Sequence, residues 1–398
     1  MKKTGRPSIL YFGIYSKGVE YPRNTNLIQG LIAQGAAVQE AHIDLAGSFL
    51  ERMQVARNPV AAARFFLRIA AGVPFLTRRF VSSSCIDAVI VGHPGYFHVH
   101  LARFMKTFFK KPVPIVYDVF IPLHEALVED RKLIAPKSRI ARILHRFEGA
   151  ACRAADLCLI DTETHGRYLI RAFGLSEEKV HRVFVGPTIR DVYNTPVSCE
   201  GNNRFTVLFV GTYIPLHGVE VILAAARRLK TNPDIRFLMV GKGQLKEEMQ
   251  RLSLRWKLEN VMFKDWIPTH LLGPLIRSCD LSLGIFGATP KAKRVIPSKI
   301  FDICAAGAPF ITADTPAVRE VFRHGKNAWL IAGQDPEALA GAVLTLQSNP
   351  SLRATIAAGA FQTGKEIFST QQIGKSLVDL INKKIFSADN PFQSSARG

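Results

Sequence analysis

Two periodicities alternate along this chain. Short runs rich in β-branched, aromatic and other apolar residues fall at 9–15, 88–91, 115–119, 157–160 and 183–185, with helix-spaced apolar patterns such as 26–34 and 138–155 between them. Strand-then-helix alternation predicts a parallel sheet with crossover helices. A polar break at 196–203 interrupts it, and then the same grammar restarts. Strand 206–210 leads into the turn Gly211-Thr-Tyr-Ile-Pro-Leu-His-Gly218, and a helix follows with Val219, Ile222, Leu223, Ala226 and Leu229 on one face. Further strands are predicted at 236–240, 261–263, 281–283, 310–312 and 329–331. The pattern predicts an α/β protein of two doubly wound, Rossmann-like domains facing each other across a cleft: residues 1–200, then 201–370. A helix at 371–386 packs back on the first domain, and a frayed Ser/Asn/Gln-rich tail occupies 387–398. Ligands of such sheets sit at the carboxyl ends of the strands.

One segment already carries chemistry. Residues 284–302 form a loop rich in cations, Lys291, Lys293, Arg294 and Lys299, that feeds into a helix. Pro297 and Ser298 are entry residues, with Ser298 expected as N-cap. Ile300, Phe301, Cys304 and Ala305 share a face, and Gly307 and Pro309 end the helix. Cations gathered at a helix N-terminus favour an anion such as a phosphate or diphosphate. The turn Gly211–Gly218 and the pair Gly241 and Gly243 each follow a strand and let backbone approach a ligand closely. The three together predict a nucleotide-diphosphate pocket. Asp302, one turn into the helix, either accepts hydrogen bonds from ribose hydroxyls or stabilises the helix dipole.

Composition narrows the classes. The 398 residues are 47% hydrophobic, which predicts a sizeable core and excludes global disorder. Six cysteines stand apart with no C-x-x-C pair, and are expected as free thiols in a reducing cytosol. No secretory signal opens the chain and no apolar run spans a bilayer, so a cytoplasmic, non-integral protein is expected. The net charge is +20. From Arg52 to Lys111 lie Arg57, Arg64, Arg68, Arg78, Arg79, Arg103, Lys106 and Lys110, opposed only by Asp87 and interleaved with apolar residues such as Phe104 and Phe108. Either helix alone reads as a solvated face. Two in one domain point to an anionic membrane surface, with Arg64, Arg68, Arg103, Lys106, Lys110 and Lys111 as its contacts. No zinc finger, RNA-recognition or helix-turn-helix pattern supports nucleic acid as partner.

Taken together, Gly211–Gly218, Gly241–Gly243 and the run Lys291–Pro309 resemble the donor half of bacterial family-4-type glycosyltransferases with the GT-B fold. Tyr21-Pro-Arg-Asn24, Gly92-His-Pro-Gly95, Tyr117-Asp-Val-Phe-Ile-Pro122 and Asp161-Thr-Glu-Thr-His165 fit acceptor-side motifs of that family. The resemblance implies retaining transfer of a sugar from a UDP- or GDP-sugar, without a metal or other cofactor. It implies a donor-binding set of Gly211, Thr212, His217, Gly218, Gly241, Lys291, Arg294, Pro297, Ser298, Lys299 and Asp302. Two departures stand out. The family's two glutamates, seven residues apart, fall on Arg294 and Asp302, and His217 stands where a diphosphate-gripping Lys is expected. Lys291, Arg294 and Lys299 are expected to supply the missing charge. Asp118, at the end of a first-domain strand, is the expected catalytic group. His93, His98 and His100 lie nearby, one of them contacting the donor sugar or all of them caps and core residues.

The expected function is transfer of a hexose or related sugar to a glycan or lipid-linked acceptor in cell-surface polysaccharide or lipopolysaccharide synthesis, peripheral on the inner face of the cell membrane. A nucleotide-sugar 2-epimerase of the same fold and a non-catalytic sugar-nucleotide-binding protein are the alternatives.

Overall fold

The structure, a computed structural model, describes residues 6–18, 21–43, 59–189 and 204–385. The polar break at 196–203, the tail from Ser387, and Arg52, Arg57 and Cys199 lie outside the described residues. The first half runs β1 (Ser8–Gly13), α1 (Pro22–Ala33), β2 (Ala37–His42), α2 (Pro59–Ser82), β3 (Ala88–Val91), α3 (His98–Phe108), β4 (Ile115–Asp118), α4 (Arg139–Ala154), β5 (Leu157–Ile160), α5 (Glu163–Phe173) and β6 (Val180–Arg182). The second runs β7 (Phe205–Val210), α6 (Val219–Arg228), β8 (Ile235–Val240), α7 (Lys246–Arg255), β9 (Val261–Lys264), α8 (Thr269–Ser278), β10 (Leu281–Leu283), α9 (Ser298–Ala306), β11 (Phe310–Ala313), β12 (Trp329–Ile331), α10 (Pro336–Ser348) and α11 (Pro350–Thr363). A last helix, α12 (Thr370–Ile385), returns to the first half.

Each half is built on one six-stranded parallel sheet, ordered β2-β1-β3-β4-β5-β6 and β12-β11-β10-β7-β8-β9. Helices cover both faces, so central strands such as β3 and β5 are apolar and buried throughout. The strand order reverses beside β1 in the first sheet and beside β7 in the second. Each reversal opens a crevice at the carboxyl ends of its strands. This is the two-domain, doubly wound α/β architecture of the GT-B fold.

Two strands differ from the sequence expectation. β2, Ala-Val-Gln-Glu-Ala-His, is an edge strand whose mixed polarity hides it. The last strand of the first sheet is Val180–Arg182, not 183–185. Val183, Phe184 and Val185 are buried for another reason: Val183 packs with Ile373 and Leu377 of α12, and the rings of Phe184 and Phe368 lie 5.1 Å apart. Their apolarity marks the returning C-terminal chain rather than a sheet ladder. The return depends on a pair of glycines. A Cβ on Gly30 of α1 would come within 2.8 Å of the Gly374 backbone, so only glycine lets α1 and α12 approach this closely.

Candidate active site

A cavity of about 220 Å³ opens at the carboxyl ends of β7, β8 and β10, and Pro22 and Thr188 of the first half close it. Gly211, Thr212, His217, Ser298, Lys299 and Asp302 line it, together with the more apolar Trp266, Ile267, Leu272 and Ile276. Backbone close approach supports its wall at Gly211. Gly241 has φ +134°, and a Cβ there would fall 2.0 Å from the Gly211 carbonyl oxygen. A Cβ on Gly211 would itself lie 2.8 Å from Lys299 Nζ and 3.0 Å from His217 Cε1. Gly241 is therefore closed to any larger residue, whereas a side chain at Gly211 would have to displace the Lys299 amine. Gly218, with φ +61°, packs against the Phe286–Gly287 backbone and supports the turn from behind.

α9 begins at Ser298, with Pro297 as its N-cap and no side-chain cap bond. Ser298 is thus the first helical residue and not the expected cap. Proline offers no side-chain oxygen, so the first-turn N–H groups of α9 receive no cap from its side chain. Beside this end Lys299 Nζ is buried without a hydrogen-bond partner among the described residues, 3.8 Å from the centre of the Phe209 ring. Burial pushes its amine well below the ordinary lysine range. His217 Nδ1 is likewise buried and unpaired; burial, and then the charge of Lys299, hold this imidazole well below its ordinary value. Asp302 Oδ1 accepts from the backbone N–H groups of Thr188 at 2.6 Å and Ile189 at 3.1 Å. Burial nevertheless raises this carboxyl to about 6, against the pull of those donors.

Two expected cations do not reach the cavity. Arg294 Nη1 lies 2.7 Å from Glu125 Oε1, Nη2 pairs with Glu129, and the guanidinium sits 3.8 Å above the Tyr168 ring. Lys291 Nζ lies 3.5 Å from Asp130 Oδ2. The carboxylates come from one short helical segment of the first half, Glu125–Asp130. Behind them His165 bridges Glu125 Oε2 at 2.5 Å and Asp161 Oδ1 at 2.6 Å. Burial pulls that imidazole down, but the two carboxylates outweigh it and hold it at about 9. Arg294 and Lys291 join the halves, and the expectation that they supply charge to the cavity is corrected. Nothing in the sequence signals this cluster, because its charges are complementary only once the two halves meet.

Asp118 is also not among the cavity's lining residues. It is wholly buried at the end of β4, where Arg23 grips it through Nε at 3.0 Å and Nη2 at 2.7 Å. Arg23 also donates to the carbonyls of Val183 and Phe184. The three expected histidines diverge: His93 Nδ1 meets the Val119 carbonyl, His98 packs beneath Gly13, and the His100 ring lies against Phe147. A second cavity, of about 350 Å³, shares Pro22 and Thr188 with the first and is lined by Lys17, Thr25, Asn26, Gln29 and Glu40. Lys17 and Tyr15 both bond Glu40, and neither Lys17 nor Glu40 was singled out from the sequence.

The basic helices divide as well. Arg64, Arg68, Arg103 and Lys110 are exposed. Lys106 pairs with Asp156 at 2.8 Å, and Lys111 Nζ donates to the carbonyls of Phe80, Val81 and Ser83 at the end of α2. Those two cations serve the fold and are withdrawn from the expected surface.

This geometry defines a two-sheet, GT-B-type architecture, and comparison with known proteins agrees. Residues 204–349 match the family model described as Glycosyl transferases group 1. The chain is 31% identical over 158 residues to a phosphatidyl-myo-inositol mannosyltransferase of Mycobacterium leprae, covering 39% of this chain and 41% of that one. It is 24% identical over 200 residues to the lipopolysaccharide core biosynthesis glycosyltransferase LpsD of Rhizobium meliloti, covering 50% and 54%. The chain thus spans about half the length of these curated relatives or less. Among solved structures, Anabaena Alr3699/HepE in complex with UDP-glucose superposes with TM-score 0.67 at 16% identity, covering 94% of this chain and 99% of that one.

Proposed function

We propose that this chain is a glycosyltransferase that moves a sugar from a nucleotide-diphosphate sugar to a glycan or lipid-linked acceptor in the synthesis of cell-surface polysaccharide or glycolipid. The observation that carries the reading is the buried Lys299 amine, unpartnered among the described residues, beside the N-terminus of α9 in a cavity lined by Gly211 and Thr212. That arrangement suits the diphosphate leaving group, whose developing charge a fixed cation and helix N–H groups stabilise. Trp266 and Ile267, among the more apolar lining residues, suit the base. UDP is the favoured nucleotide, since a structural neighbour holds UDP-glucose. The second cavity, which shares Pro22 and Thr188 with the first and presents Lys17, Asn26, Gln29 and Glu40, suits the hydroxyls of the acceptor. Retention follows from the family resemblance. Both curated relatives described above are transferases, which favours transfer over epimerisation or binding alone.

The same reading places the chain on an anionic membrane. Exposed Leu67, Phe75, Phe104, Phe108, Ile140 and Ile143 stand among exposed Arg64, Arg68, Arg103, Arg139, Arg142 and Arg146 on α2, α3 and α4. Such apolar and cationic mixtures bind headgroups and acyl boundary together.

The test of the transferase reading is the melting-temperature shift with UDP, GDP, ADP and CMP at matched concentration, with Lys299→Ala beside the wild type. The expected outcome is a shift with one diphosphate that the variant loses. No shift with any nucleotide removes the reading.

A further inference from the structure

An amine or imidazole held out of water stays neutral until an anion arrives to share its proton. The cavity holds two such bases side by side. Lys299 Nζ and His217 Nδ1 are both buried and unpaired among the described residues, and both rings of contact converge on Gly211: its added Cβ would lie 2.8 Å from Nζ and 3.0 Å from His217 Cε1. No carboxylate bonds either base. Of the charged groups around them, Arg131 from the first half adds further positive field at His217. Asp302, one turn along α9, turns Oδ1 to the Thr188 and Ile189 N–H groups. The Thr212 backbone bonds the His217 imidazole and favours its charged form, and the face of Phe209 beneath Nζ carries no titrating group.

Resting on the reading of this cavity as a nucleoside-diphosphate site, we propose that Lys299 and His217 form a proton-coupled anion receptor, which takes up a proton from solvent as the diphosphate binds. Burial depresses both bases in the empty site, and the arriving phosphates supply the missing counter-charge that reverses the depression. Binding therefore strengthens as pH falls. The free nucleoside diphosphate bears one more negative charge than its sugar ester, so the coupling favours product over donor. Product release is the step that acid slows.

Isothermal titration of the full chain with UDP tests this, run in HEPES and in Tris at matched pH above about 7.5, where the nucleotide's own phosphate is already ionised. The expected result is a binding enthalpy that differs between the buffers by the heat of moving close to one proton. Affinity should weaken by up to about tenfold per pH unit in the alkaline range. Lys299→Arg, whose guanidinium is permanently charged, should still bind UDP while losing most of the buffer difference. Equal enthalpies in the two buffers with a pH-independent affinity overturn the inference and leave the nucleotide site standing. No heat with UDP, GDP or ADP overturns the reading of the cavity itself. The wild-type buffer pair decides the matter even where the variant does not fold.

Discussion

Residues 291–294 and residue 299 look alike in the sequence, yet the fold gives their cations opposite fates. Lys291 and Arg294 are matched by Asp130, Glu125 and Glu129 of the other half, and Glu125 is matched again by His165. Lys299, a turn or two later, buries its amine with no hydrogen-bond partner among the described residues, next to His217, whose Nδ1 is likewise unpartnered. A cation with a built partner is part of the structure. A buried one without a partner carries an energetic cost that a ligand relieves, which is why it marks the site better than the density of positive charge does.

The largest effect should come from breaking the matched cluster. Glu125→Ala removes the carboxylate that Arg294 and His165 share and leaves both buried without it. Losing one partner of a buried ionic network costs about 3–5 kcal/mol. Urea unfolding should show a loss of that size, and a loss under about 1 kcal/mol would mean that the cluster does not hold the halves together.

The unmatched site should respond in the opposite direction. Lys299→Met removes a buried donor with no acceptor and keeps the volume of the stem. The empty protein should gain about 1–3 kcal/mol, the desolvation cost of such a group, and should lose its UDP-induced melting shift. A destabilised variant that keeps the shift would reverse the comparison.

Much of this contrast was invisible in the sequence. The parallel sheets were legible because buried strands are short, apolar and bounded by turns, and the glycines after β7 and β8 marked the crevice. β2 escaped because an edge strand keeps polar residues, and 183–185 misled because helix packing and strand pairing demand the same apolar side chains. Within the site, the turn glycines could be read from their positions after strands, Ser298, Lys299 and Asp302 from the helix that follows the cationic loop, and His217 from the family resemblance. Partners could not. The carboxylates facing Arg294 lie 165 and more residues away in the chain, and local pattern holds no record of a charge pair made by domain docking. Asp118 suffers the same blindness from the other side: its place at a strand end suggested the cleft, while Arg23 from α1 claims it for the interior.

Alkaline pH sharpens the comparison on a finer scale. His165 titrates at about 9 in the fold against an ordinary value near 6.5, so its contribution is complete below the ordinary value and is lost as pH rises through about 9. Lys299 is depressed instead, so the unfolded chain binds the extra proton and stability rises with pH up to the ordinary lysine value. The two slopes oppose, each at most about 1.4 kcal/mol per pH unit. In the wild type the two largely cancel between about pH 7 and 9, so removing Lys299 should uncover a decline of stability over that range, as read by urea midpoints at constant m-value. An unchanged slope would show that Lys299 is already charged in the empty protein.

The smallest effect on stability belongs to the exposed cations, and it tests whether they have any task beyond solvation. Arg64 and Arg68 are exposed on α2, whereas Asp156 holds Lys106 and the carbonyls at the end of α2 hold Lys111. Substituting both with Ala should leave the melting temperature nearly unmoved, since surface changes stay within about 0.5 kcal/mol. Flotation with vesicles containing anionic lipid should nonetheless drop, because each cation near a charged bilayer contributes about 1 kcal/mol. Lys111→Ala should do the reverse: it uncaps the carbonyls at the end of α2 and lowers stability. Equal flotation by the double variant and the wild type, or binding by neither, would leave these arginines as solvated surface and remove the membrane from the proposed function.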